Sequence, residues 1–254
     1  MKDVPLAFQN EDVVEPFLVI VPSRRFIFII FSSLLGFELL LVFFDATLNY
    51  GKWTDIGAIR RLFNLAREDS LGNWFASTQT LFVGLILWLL FLRNRRAELW
   101  KAWGWGLLAV FFTYLAIDDG ASIHERVGTA VKTFGSVEFF PSYTWHIVFG
   151  PFLSIIGLII FRFLVRELKN HTLRLLCVLG MSCYVIAVGL DFVEGLEGGY
   201  DPLITALSID PTTLRHFAKV FEEFLEMLGT TTFLVCFLSH FTRISPIFSV
   251  QFKP

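Results

Sequence analysis

The chain is 254 residues long, 55% hydrophobic and only 17% charged, with a mean hydropathy of +0.63, a composition that excludes an ordinary water-soluble fold. The formal net charge of −2 gives no electrostatic footprint for nucleic acid. Cys177, Cys183 and Cys236 lie inside apolar runs, which excludes a disulfide framework or a thiolate metal site.

Residues 1–23 are acidic and polar apart from the short run Phe17 to Val21, so no cleavable signal peptide is expected and the segment reads as cytoplasmic. A bilayer core of about 30 Å takes roughly 20 apolar residues in a helix, because unpaired backbone amides are not tolerated in hydrocarbon. Six runs meet that length: Arg25 to Phe44, Leu71 to Leu92, Leu99 to Asp118, Tyr143 to Val165, Leu173 to Val193 and Phe217 to Phe241. Thirty Phe and seven Trp fit a lipid-facing surface with aromatic anchors at its interfaces.

Basic residues collect in alternate loops: Arg24 and Arg25, then Arg93, Arg95, Arg96 and Lys101, then Arg166, Lys169 and Arg174, then Arg243 and Lys253. The positive-inside rule therefore puts both termini in the cytoplasm. The expected fold is all-α, a polytopic six-transmembrane-helix bundle, N-in and C-in. One membrane domain covers 24–243 and a cytoplasmic tail covers 244–254. No internal repeat or linker divides it.

Between the first two spans, Ile59, Leu62, Phe63 and Ala66 recur at helical spacing, which predicts an amphipathic helix lying in the interface. The third span is expected to continue past the membrane through Asp118, Ser122 and Glu125, which share one helical face. Ahead of the last span, Asp210 followed by Pro211 is an N-cap with proline at the first helical position, so that helix begins before the membrane.

The acidic residues divide in the opposite sense to the basic ones and gather at the outer ends of the spans. Glu38 lies inside the first span, where a charged side chain costs roughly 2.5 to 3.5 kcal/mol, so it must face protein or water. The third span ends with Asp118 and Asp119, followed by His124 and Glu125; a bend at Gly120 would turn His124 inward. In the last helix Arg215, Lys219, Glu222 and Glu226 form a polar stripe with Glu223 at its edge. Glu68, Asp69, His146, Asp191, Glu194 and Glu197 are accessory candidates, Asp69 or Ser70 reading more simply as an N-cap and Glu194 and Glu197 as loop residues.

A set of carboxylates and imidazoles suits a hard or borderline divalent metal ion such as iron, manganese or zinc. The metal ligands expected are Asp118, Glu125, Glu222 and Glu226 with His124 or His146, and Glu38 and Glu226 are the candidate catalytic carboxylates. A metal-dependent enzyme would use them to activate water or oxygen against a lipid or amphiphile entering sideways. The alternative at these positions is a structural ion-paired stripe, Lys219 with Glu222 or Glu223.

Two other functions compete. A proton- or cation-coupled transporter would use Glu38 and Glu226 as protonation sites, but the inner halves of the spans offer little polar beyond Ser32, Ser33, Arg162 and Thr232. A non-catalytic subunit would pack its aromatic helices on partner membrane proteins, pigments or a second copy of itself, and dock a basic partner on its acidic outer face. There is no Gly-x-Ser-x-Gly elbow, His-Glu-x-x-His pair, phosphate-binding glycine loop or dinucleotide fingerprint.

Three stretches, Glu68 through Ser77 (EDSLGNWFAS), Leu115 through Glu125 (LAIDDGASIHE) and Glu222 through Gly229 (EEFLEMLG), resemble those of a family of uncharacterised bacterial multi-pass membrane proteins. The family's middle stretch tends to read Asp-Glu where this chain has Asp118-Asp119, which keeps a carboxylate and shortens its reach. The resemblance implies a bacterial inner membrane and that these positions act together, and attaches no activity to them.

Overall fold

The computed structural model describes residues 17–20, 24–95, 98–134, 145–245 and 247–250; for 17–20, 125, 131–134, 145–149 and 247–250 it describes the backbone alone. The described residues form helices α1 (Arg24–Phe44), α2 (Gly57–Leu62), α3 (Leu71–Asn94), α4 (Leu99–Ala121), α5 (Ile123–Phe134), α6 (Trp145–Glu167), α7 (His171–Gly195), α8 (Asp201–Leu207) and α9 (Pro211–Ile244). Two short strands, β1 (Phe17–Ile20) and β2 (Ile247–Val250), pair antiparallel with Phe17 opposite Val250 and Ile20 opposite Ile247.

Five of the helices, α1, α3, α4, α7 and α9, are long and apolar enough to cross a membrane. The 23-residue α6 covers the fourth run expected to span from residue 145 onward, and part of it has only its backbone described; 143 and 144 lie outside the described residues. The long helices alternate in direction. One end of the bundle therefore carries Arg93 and the start of α1, beside the strand ribbon; the other carries Asp45, Asp118, Asp191 and the start of α9. We call these the ribbon end and the carboxylate end.

The 34-residue α9 is the central element, packing against α1, α3 and α7 and buried along most of its apolar length. Small residues let its neighbours approach. A Cβ on Gly229 of α9 would stand 3.0 Å from the Tyr184 ring of α7, and one on Gly180 of α7 would stand 3.1 Å from the Phe233 ring of α9. Close contact of this kind is how helices gain dispersion energy where lipid offers no hydrophobic drive. The ribbon half of the core is aromatic: Trp105, Phe112, Phe233 and Phe237 are almost fully buried, and Phe233 and Phe237 stack at 5.6 Å. Outside, Trp53 and Trp74 near one end and Trp100 and Trp103 near the other are exposed, as interfacial anchors are.

Three local features depart from the periodicity. The helix of the first loop is shorter than Ile59 to Ala66 implies, covering Gly57–Leu62, and Leu65 beyond it is the residue that turns inward. The chain continues from α1 into a π-helical stretch, Asp45–Tyr50, where the extra residue per turn brings Asp45 and Asn49 inward together. The expected continuation of the third span does not occur. Ser122 sits at φ 50° and ψ 45°, a left-handed cap that ends α4 at Ala121 and starts α5 in a new direction. The N-cap at Asp210 forms as expected, accepting the Thr213 amide at 2.9 Å, and Ser70 caps α3 by accepting the Asn73 amide at 3.1 Å.

Candidate functional site

Charged and polar side chains at the carboxylate end form four groups, each joining at least two elements. In the first, α7 supplies Asp191 and Glu194, one turn apart on one face, and α9 supplies Glu222. One oxygen from each of these three carboxylates lies within 4.8 Å of the other two. Glu222 is 2% exposed, and its Oε1 accepts from Lys219 Nζ at 2.7 Å. Lys219 also stands 3.4 Å from Glu223 Oε1. Oε2 of Glu222 and Oε2 of Glu194 are buried and have no hydrogen-bond partner among the described residues.

Tyr200, in the loop before α8, closes over this group and donates to the Leu190 carbonyl at 3.3 Å. Burial, reinforced by the charges of Glu194 and Glu222, pushes its phenol up to about 12.

The second group lies across α9, against α4 and α3. The left-handed turn at Ser122 brings His124 back onto the end of α4, where its Nδ1 meets Asp118 Oδ2 at 2.9 Å and its amide donates to Asp118 Oδ1 at 2.9 Å. Ser122 donates to Glu68 at 3.0 Å, and Asn73 bonds both the side chain and the carbonyl of Glu68. Glu68, Ser122, Arg126 and Thr129 line an open cleft beside it. Asp119, Glu223 and Glu226 lie near enough for their charges to act on one another, which links this group to the first.

The third group is deeper. Glu38 of α1 is fully buried, its Oε1 accepting from Gln79 Nε2 of α3 at 3.0 Å and from Thr231 Oγ1 of α9 at 2.5 Å. Gln79 and Thr231 are also bonded to each other. The fourth ties the first loop to α9. Fully buried Asp45 accepts from Asn49 at 3.1 Å and from the Leu65 amide at 3.0 Å, and pairs with His216 Nε2 at 2.7 Å. The His216 ring stacks on Tyr50 with centroids 4.9 Å apart, and Tyr50 bonds Thr213.

Of the expected ligands, Glu222 enters the three-carboxylate group, Asp118 and His124 pair with each other, and Glu226 lies between the two groups. The side chains of Glu125 and His146 are outside those described. Glu38 is held by Gln79 and Thr231. The ion-paired alternative is present as well, since Lys219 bridges Glu222 and Glu223.

Sequence reasoning gave Asp191 and Glu194 too little weight and passed over Gln79, Thr231, Asp45 and the partner of His216. Asp191 and Glu194 are three residues apart at the end of an apolar run, which puts them on one helical face just as the four-residue spacing does Glu222 and Glu226. Gln79 is a lone amide inside an apolar span, and in hydrocarbon such a group needs a partner.

A family model for a domain of unknown function, DUF8692, matches residues 34–241. The chain belongs to the DUF8692 family. The matched range takes in every carboxylate of the four groups and leaves out β1 and β2. No curated protein and no solved structure matches the chain.

Proposed function

We propose that this DUF8692 protein is a six-span membrane protein, both ends cytoplasmic, that binds a divalent metal ion between α7 and α9 in the outer half of a bacterial inner membrane. The observation that carries the metal reading is the meeting of Asp191, Glu194 and Glu222 within 4.8 Å, two of their buried oxygens lacking a partner among the described residues. Three carboxylates meet there with Lys219, which Glu222 shares with Glu223, and a divalent cation is a complement to such a set. Oxygen-only ligands favour manganese or another hard ion, and recruitment of His124 would extend the range to iron or zinc.

The topology is supported by α6 as a sixth crossing and by the β1 to β2 pairing, which needs the two ends of the chain on one side of the bilayer. A metal at this depth would polarise water beside the lipid headgroups, so a lipid or other amphiphile is the substrate class that fits. Glu226, one turn along α9 from Glu222, is the candidate general base.

Metal content decides the matter. Protein purified in detergent, incubated with manganese, iron or zinc and dialysed, is expected to retain about one ion per chain, as one closed ligand set holds one ion. Glu222→Gln and Asp191→Asn should lose it, and Asp118→Asn should keep it. Metal-free wild type after supplementation, or retention in the Asp191→Asn/Glu222→Gln double variant, overturns the proposal.

A further inference from the structure

We propose that Glu38, Gln79 and Thr231 form a second site, for a small monovalent cation of sodium's size, entered from the carboxylate end and closed toward the ribbon end. The three residues come from α1, α3 and α9 and are 0%, 2% and 0% exposed. Their mutual hydrogen bonds use only one oxygen of Glu38. Glu38 Oε2 and Gln79 Oε1, both acceptors, are buried with no partner among the described residues.

Two orphaned acceptors in one polar knot leave a place for a donor or a cation. Three other buried carboxylates have a basic side chain of the chain as partner: Asp45 has His216, Asp118 has His124 and Glu222 has Lys219. No lysine, arginine or histidine bonds Glu38 among the described residues. Its counter-charge therefore comes from solution.

Carboxylate, carboxamide and hydroxyl oxygens are hard ligands, and a hard cation suits them. A single carboxylate sets the charge at one, because a divalent ion would leave an uncompensated positive charge in hydrocarbon. Toward the carboxylate end, α9 carries Glu226 and Glu223 ahead of Thr231. On the far side, α9 continues from Thr232 into Phe233 and Phe237, stacked on each other and packed edge-on by Phe112, with Trp105 edge-on to Phe237. That plug makes the site terminal. The ion holds α1 against α3 and α9 and does not pass through.

The test uses the full chain in detergent with EDTA present throughout, which keeps the divalent site out of the measurement. Thermal unfolding is compared in sodium chloride and in choline chloride at equal ionic strength and alkaline pH. Sodium should raise the unfolding temperature saturably. As pH falls and a proton competes for Glu38, the half-saturating concentration should rise about tenfold per pH unit. Glu38→Gln, which keeps an acceptor for Gln79 and Thr231, should fold and lose the sodium response. Should that variant not fold, saturable ²²Na⁺ binding to wild type, weakening with acid, tests the same point. Equal stability in the two salts with no ²²Na⁺ binding overturns the proposal and leaves a proton as the counter-charge. An undiminished response in Glu38→Gln overturns it by putting the ion elsewhere.

Discussion

The two halves of α9 serve different ends. From His216 to Glu226 the helix presents ionisable groups to α1, α3 and α7, and each carboxylate is answered by a histidine, a lysine, an amide or another carboxylate. From Phe233 to Phe241 it presents aromatic rings to a core in which Trp105, Leu108, Leu164 and Phe237 are fully buried. The bundle is thus held by aromatic packing at one end and by polar pairing at the other. Polar groups in a membrane interior gain little by pairing, since the separated helices also find partners, whereas tight packing is where lipid cannot compete.

The largest effect should therefore come from the ribbon half. Trp105 lies edge-on to Phe163 at 5.2 Å and to Phe237 at 6.0 Å, and stacks on His240 at 5.2 Å. Trp105→Ala is expected to cost about 3–5 kcal/mol, the range for emptying a large aromatic site. Denaturant titration in detergent would measure it. The folded fraction should keep the wild-type metal content. A variant of unchanged stability with an emptied metal site would reverse the roles of the two halves.

A smaller effect is expected from the best-connected carboxylate at the other end. Asp45 accepts two hydrogen bonds and pairs with His216 while fully buried, so Asp45→Ala strands the Leu65 amide and the imidazole. Losing bonds to a charged acceptor costs about 2–3 kcal/mol. The damage should be local. Limited proteolysis should cut the loop between 51 and 64 faster in this variant while the ribbon half stays protected. Uniform destabilisation would mean that the two halves unfold as one unit.

The same division explains what the sequence could reveal. Long apolar runs announced the helices, because length and composition suffice to specify a span, and the acidic excess at one end was visible as a charge count. The pairings were not. Asp118 meets His124 because Ser122 adopts a left-handed conformation; Gly120 in DDGASIHE allowed a bend that would turn His124 inward, but not the place of the turn or the partner it brings. Asp45 faces inward because α1 passes into a π-helical stretch, which shifts the helical phase that a 100° wheel assumes. Glu222 finds Asp191 and Glu194 because Gly229 and Gly180 let α7 lie close to α9, a property of the contact and not of either segment. Gln79 and Thr231 read as isolated polar residues until the three helices carrying them and Glu38 converge.

The smallest effect marks where the carboxylate end stops mattering. Asp69 is exposed and bonds Arg61, and accepts from Arg67 Nε at 2.9 Å. The Arg61 hydrogen bond first, then that of Arg67, lowers its carboxyl to about 2. A depressed folded-state value means that any stabilisation is complete above the ordinary aspartate range and disappears as pH falls through about 2. Across the neutral range the pair is constant. Solvent screens both partners, and ordering the arginines offsets the attraction. Asp69→Asn should leave the unfolding temperature at neutral pH unchanged and flatten only the acid limb of the stability profile. A marked loss at neutral pH would show that Asp69 anchors the loop on which Leu65 and Asp45 depend, and the boundary between the working carboxylates and the merely solvated ones would have to be redrawn to include it.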